Sequence, residues 1–153
     1  MAADLRRFHD YPLTFGPLAF AGGNDIKSFQ VETGYDFAWL KASAFVFDAN
    51  GLGVAPDSWP RLTCLLSDGS TQLQISTGEQ AIGNLFGAGR YPYILPIPHI
   101  LRGGQTLTAQ VFNRHTATAY SVTLSFSGVF GPVGSGAELQ VGSRRRLVRP
   151  GRA

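Results

Sequence analysis

Three histidines, one cysteine and ten carboxylates are the residues of this 153-residue chain that could do acid–base, nucleophilic or metal chemistry. Zinc sites draw on His and Cys at short, regular spacings such as HxH, HExxH or CxxC. Here His9, His99 and His115 lie in unrelated contexts, and none stands beside another histidine or beside Cys64. No metal site and no cofactor are expected. Cys64 sits in RLTCLLSD, alternating with Leu62 and Leu66, and reads as a small buried hydrophobe rather than a nucleophile. A single cysteine also excludes an intrachain disulfide framework. Asp36, Asp48, Asp57, Asp68 and Glu79 fall mostly at strand ends or turns, where a carboxylate caps a turn. Folding could bring Asp48 near Asp57, but nothing in the sequence selects that pair. GVFGPVGSG lacks the lysine that a phosphate loop needs, and there is no GxSxG elbow or EF-hand loop. The expectation is a protein without catalytic residues, not an enzyme.

Binding chemistry offers more. Trp59, followed by Pro60 in a turn-rich stretch, is the candidate for an exposed ring that stacks on a sugar, whereas Trp39 lies inside a strand pattern and belongs partly to a core. The last eleven residues, SRRRLVRPGRA, hold Arg144, Arg145, Arg146, Arg149 and Arg152 and no acid. Residues 1–142 hold eight basic against ten acidic groups, a net of −2, so the excess positive charge is confined to this tail. Nucleic-acid affinity comes mainly from phosphate neutralisation, which such a body does not supply, so nucleic acid is disfavoured as a partner. The tail reads first as a docking arm whose guanidinium groups fork onto carboxylates of a protein, with a solvated, disordered end as the alternative. MAADLRRFHD has no apolar stretch of the secretory type, and no run approaches the roughly 20 apolar residues of a membrane span. Synthesis in the cytoplasm and no membrane are expected.

The elements that must position these residues are strands. The chain has 19 Gly, 9 Pro and only two lysines, with no sustained 3.6-residue pattern, which disfavours helices. Residues 1–24 carry Phe8, Tyr11, Phe15 and Phe20 among prolines and glycines, and read as an N-terminal arm that packs on its own domain or on a neighbour. Residues 25–130 read as the folded domain. IKSFQV sets Phe29 and Val31 on one face. DFAWLKASAFVF sets Ala38, Leu40, Ala42, Ala44 and Val46 on one face and Phe37, Trp39, Lys41, Ser43 and Phe45 on the other. RLTCLLSDGSTQLQIS reads as a hairpin around Ser67–Ser70. Pro92, Pro96 and Pro98 exclude a central strand and a regular helix from residues 87–104. QTLTAQVFN and AYSVTLSFSGVF return to strand, with Leu107, Ala109, Val111, Val122, Leu124 and Phe126 inward. Residues 131–153 form a Gly-rich, then Arg-rich, C-terminal arm. Seven or eight short strands at such spacing predict an all-β sandwich, jelly-roll-like, with extended arms at both ends.

The stretch ILPIPHILRGGQTLTAQVFNRHTATAYSVTLSFSGVF, Ile94–Phe130, resembles the head decoration (cement) proteins of tailed bacteriophages and related small β-sandwich virion components. The shared pattern is a proline-bearing segment, a Gly-Gly turn at Gly103 and Gly104, a strand ending in Asn113, and a last strand with Gly128 near its end. It spans 37 residues and marks folding positions rather than catalytic ones. The resemblance implies a structural protein of the capsid surface, whose partners are the major capsid protein and copies of itself in a homo-oligomeric assembly. Tail, neck or baseplate components share the pattern, and a carbohydrate-binding module is the alternative of another class. On this reading Phe8, Tyr11, Phe15 and Phe20 contact a neighbour, and Arg144, Arg145, Arg146 and Arg149 pin the tail. Apolar burial by the arm carries most of the affinity, so removing residues 1–24 is expected to weaken capsid binding more than removing 143–153.

Overall fold

The computed structural model describes residues 7–68, 78–88, 91–132 and 134. Among them run β1 (Arg7–Leu18), β2 (Asn24–Gln30), β3 (Tyr35–Phe47), β4 (Leu62–Asp68), β5 (Gln80–Ala81), β6 (Gly87–Ala88), β7 (Tyr93–Leu101), β8 (Thr106–Asn113) and β9 (Tyr120–Pro132). A one-turn helix, α1 (Ile82–Leu85), joins β5 to β6. The protein is an all-β sandwich of two sheets. One has the order β1-β9-β3, with β7 and β6 sharing the outer edge of β3; the other has the order β2-β8-β4-β5. Pairing is antiparallel except between β3 and β6.

Alternation explains most of this. Along β8 and β9 every second side chain is buried, and Leu107, Ala109, Val111, Val122, Leu124 and Phe126 meet between the sheets as expected. β4 does the same with Leu62, Cys64 and Leu66. The second arm of the expected hairpin after Asp68 lies outside the described residues; the described antiparallel partners of β4 are β8 and β5.

Two expectations are corrected. Residues 7–18 are a strand of the sandwich rather than an arm. β1 pairs with β9 from Arg7 opposite Phe130 to Leu18 opposite Tyr120, and Leu13, Phe15 and Leu18 are core residues. Prolines at 12 and 17 are compatible with this because β1 is an edge strand, where a missing N–H leaves no ladder bond unmade. The boundary at residue 24 is therefore not a structural one.

The second correction concerns β3. Trp39 opposes Gly128 and Lys41 opposes Ser127, so Leu40 is an extra, unpaired residue. This bulge reverses the phase of the strand. Phe37 and Trp39 face the core before it, and Ala42, Ala44 and Val46 face the core after it. The Trp39 indole N–H donates to the Lys41 carbonyl at 2.7 Å and so ties the bulge shut. Gly128 is required opposite, because a Cβ there would collide with the Ala38 carbonyl oxygen.

Two buried polar residues fasten the loops. Asp36 accepts backbone N–H bonds from Gly103 (3.2 Å) and Gly134 (3.0 Å). Asn113 holds the ends of β1 and of the β8–β9 turn. Burial without such partners would cost each group its lost hydration.

Candidate functional site

β7 leaves its partner where β3 bulges. His99 pairs with Trp39 and Ile94 pairs with Lys41, so β7 spends residues 95–98 where β3 spends only Leu40. The excess bows outward. Pro96 and Pro98 have no N–H to leave unsatisfied there, which is why this sequence tolerates the bow. Behind it opens a cleft of about 380 Å³ between β7 and the sandwich interior. Trp39 and His99 form one wall, Leu66 of β4 and Leu85 of α1 another, and Leu95, Pro96 and Ile97 the bow itself.

The lining is almost wholly apolar. Among its polar groups is His99, whose Nε2 is buried and has no hydrogen-bond partner. Burial holds the His99 imidazole below its ordinary pKa, with the Asp68 carboxylate opposing the shift. The neutral ring lies edge-on to Trp39, with centroids 6.3 Å apart. Along the same stretch Tyr91 is 77% exposed and Ile97 60%, with Tyr93 and Ile94 also open to solvent. Four large apolar side chains thus stand exposed within a stretch of seven residues.

The other reactive groups are occupied structurally. Cys64 is buried, and desolvation pushes its thiol up to about 12, so it is no nucleophile. Nδ1 of His115 accepts the N–H groups of Ala117 and Thr118 and shapes the β8–β9 turn. His9 packs on Tyr11 and Phe130. Asp48 accepts from the N–H groups of Asn50 and Leu52, a turn cap. Among the described residues no three His, Cys, Asp or Glu come together as a metal site.

Of the contact residues expected from the sequence, Phe8 and Phe20 are exposed, near opposite ends of β1. Phe15 is 0% exposed and Tyr11 is half-buried against Phe29 at 4.1 Å. Phe15 is thus committed to the protein's own core and is withdrawn as a neighbour contact; Tyr11 is largely committed too. Arg144, Arg145, Arg146 and Arg149 lie outside the described residues. Trp59 is half-buried rather than exposed. Its indole N–H donates to the Val54 carbonyl at 3.1 Å, and its ring separates two clefts of about 450 and 250 Å³.

The β7 cleft was not read from the sequence, because its shape follows from the bulge in β3. The signal was present as YPYILPIPHI, in which large apolar groups alternate with residues that cannot donate.

The fold is an all-β sandwich with an apolar cleft behind β7. The chain matches no family model, no curated protein and no solved structure.

Proposed function

We propose that the protein is a non-enzymatic virion structural component, a decoration (cement) protein that binds the major capsid protein on the capsid surface through the exposed edge of β7. The observation that carries this reading is the apolar cleft lined by Tyr93, Leu95, Pro96 and Ile97, with Tyr91 and Ile94 also exposed in the same stretch of chain. Large apolar groups left exposed beside an apolar cleft mark an interaction surface. Burying each of these side chains against a partner contributes about 1.5–3 kcal/mol, more than an exposed ion pair supplies. The arginine tail then adds steering and the β7 edge adds affinity.

The pairing order supports the architecture this reading assumes. Antiparallel pairs β1:β9, β2:β8, β3:β7 and β4:β5 nest within one another, an order that supports a jelly-roll-like reading. That architecture serves viral capsid domains, lectins and cupins.

The test is sedimentation with empty phage heads from the genome that encodes the protein, at low and high salt. The reading expects saturable, stoichiometric co-sedimentation that persists at high salt, since apolar contacts are not screened. Protein that stays in the supernatant at both salts contradicts the capsid reading and directs the search to tail and baseplate partners.

A further inference from the structure

We infer that the protein forms a two-fold dimer through the outer face of the β1-β9-β3 sheet. Strand register fixes which side chains share that face. Asp10, Ser127 and Lys41 lie in one row across the three strands, and all point away from the core. Between the row of Phe8 and the row of Phe45, Asp10 and Lys41 are the only charged residues on outward positions. The central lane carries small hydroxyls, Thr123, Ser125 and Ser127. Phe8 and Phe45 stand exposed toward the two ends.

Opposite charges on either side of one lane make the face complementary to itself. A two-fold axis lying along β9 in the plane of contact carries β1 of one copy over β3 of the other. Asp10 then meets the partner copy's Lys41, and Lys41 meets its Asp10, with Ser127 near the axis. An axis across the strands would instead set Asp10 on Asp10 and Lys41 on Lys41, and like charges in contact are costly. The charge pattern therefore selects one of the two arrangements. Isologous contact of this kind is the commonest oligomeric interface, and stacked sheets lie about 10 Å apart, within reach of a Lys–Asp pair.

The area suits a weak, reversible contact. Three lanes and four rows measure about 14 by 27 Å. Two copies therefore bury about 800 Å² in total, the low end of interface size, where association is transient. On the outer face of the second sheet, with Leu65, Thr108 and Gln110, the charge pair Arg114–Glu79 (2.8 Å) is closed within one copy and sets no register for a second.

Sedimentation velocity of the full chain over a concentration series tests this. A reversible dimer is expected. Asp10→Lys and Lys41→Asp should each weaken it at least about tenfold, and the double exchange D10K/K41D should restore it. A wild-type protein that stays monomeric overturns the inference. So do single variants that dimerise unchanged, or a double variant that does not recover. Recovery cannot come from a misfolded chain, so the double variant guards the test. The readout uses free protein, so it stands or falls separately from capsid binding.

Discussion

The side-chain amide of Asn113 donates to the Leu18 carbonyl at 3.0 Å, joining positions 95 apart in sequence, and donates again to the Thr118 carbonyl at 2.9 Å. Its Oδ1 accepts the N–H of His115 at 3.0 Å. One buried side chain thus closes the end of β1 and the β8–β9 turn. Asn113→Ala leaves these groups without partners and is expected to cost about 3 kcal/mol, read from urea unfolding midpoints.

Removing residues 1–24 takes Leu13, Phe15 and Leu18 out of the core, each worth about 1.5–3 kcal/mol. That loss is comparable with the whole stability of a domain, about 5–15 kcal/mol. The truncated chain is expected to show no cooperative thermal transition by circular dichroism. A sharp transition near that of the full chain would restore the arm reading.

Gly128→Ala drives a methyl group into the Ala38 carbonyl at the β3 bulge. Backbone cannot yield as a flexible side chain can, so a loss of about 3 kcal/mol or more is expected. Thermal unfolding of the variant checks it.

His99 makes stability depend on pH. Its folded-state pKa lies below the ordinary imidazole value because burial disfavours the charged ring. The unfolded chain therefore binds more protons, so this contribution is present above about pH 6.5 and is lost as pH falls below it. The slope approaches about 1.4 kcal/mol per pH unit at most. His99→Gln should flatten the dependence between about pH 7.5 and pH 5; equal slopes for both proteins would contradict the buried neutral ring.

Cys64 acts in the opposite range. With its pKa raised from 9.0 to about 12 in the fold, the unfolded chain loses its proton first. Stability is unaffected below about pH 9 and falls as pH rises beyond it. Alkylation at pH 8 should proceed only in denaturant, which mass spectrometry of the labelled protein reads directly.

Strands that pair by simple alternation were legible in the sequence. β8 and β9 place Leu107, Val111, Val122 and Phe126 inward because nothing interrupts their period of two. β3 was legible as a strand but not in phase, since the bulge at Leu40 depends on Gly128 lying opposite, a partner 88 positions along the chain. β1 was hidden by Pro12 and Pro17, although Tyr11, Leu13 and Phe15 alternate; prolines exclude central strands, not edge strands. The same logic applied to β7, where Pro96 and Pro98 pointed to an edge without revealing the cleft behind it. Charged and aromatic residues drew attention to both termini, while the exposed apolar cluster sat on an internal strand.

The central claim is that β7 docks on a protein lattice, and Ile97→Asp tests it most directly. Ile97 is 60% exposed on the outer bow, so the substitution should leave the melting temperature nearly unchanged. Co-sedimentation with phage heads, measured for wild type and variant side by side, should be saturable for the first and abolished for the second. Equal binding by a folded Ile97→Asp protein would contradict the claim and move the contact away from β7.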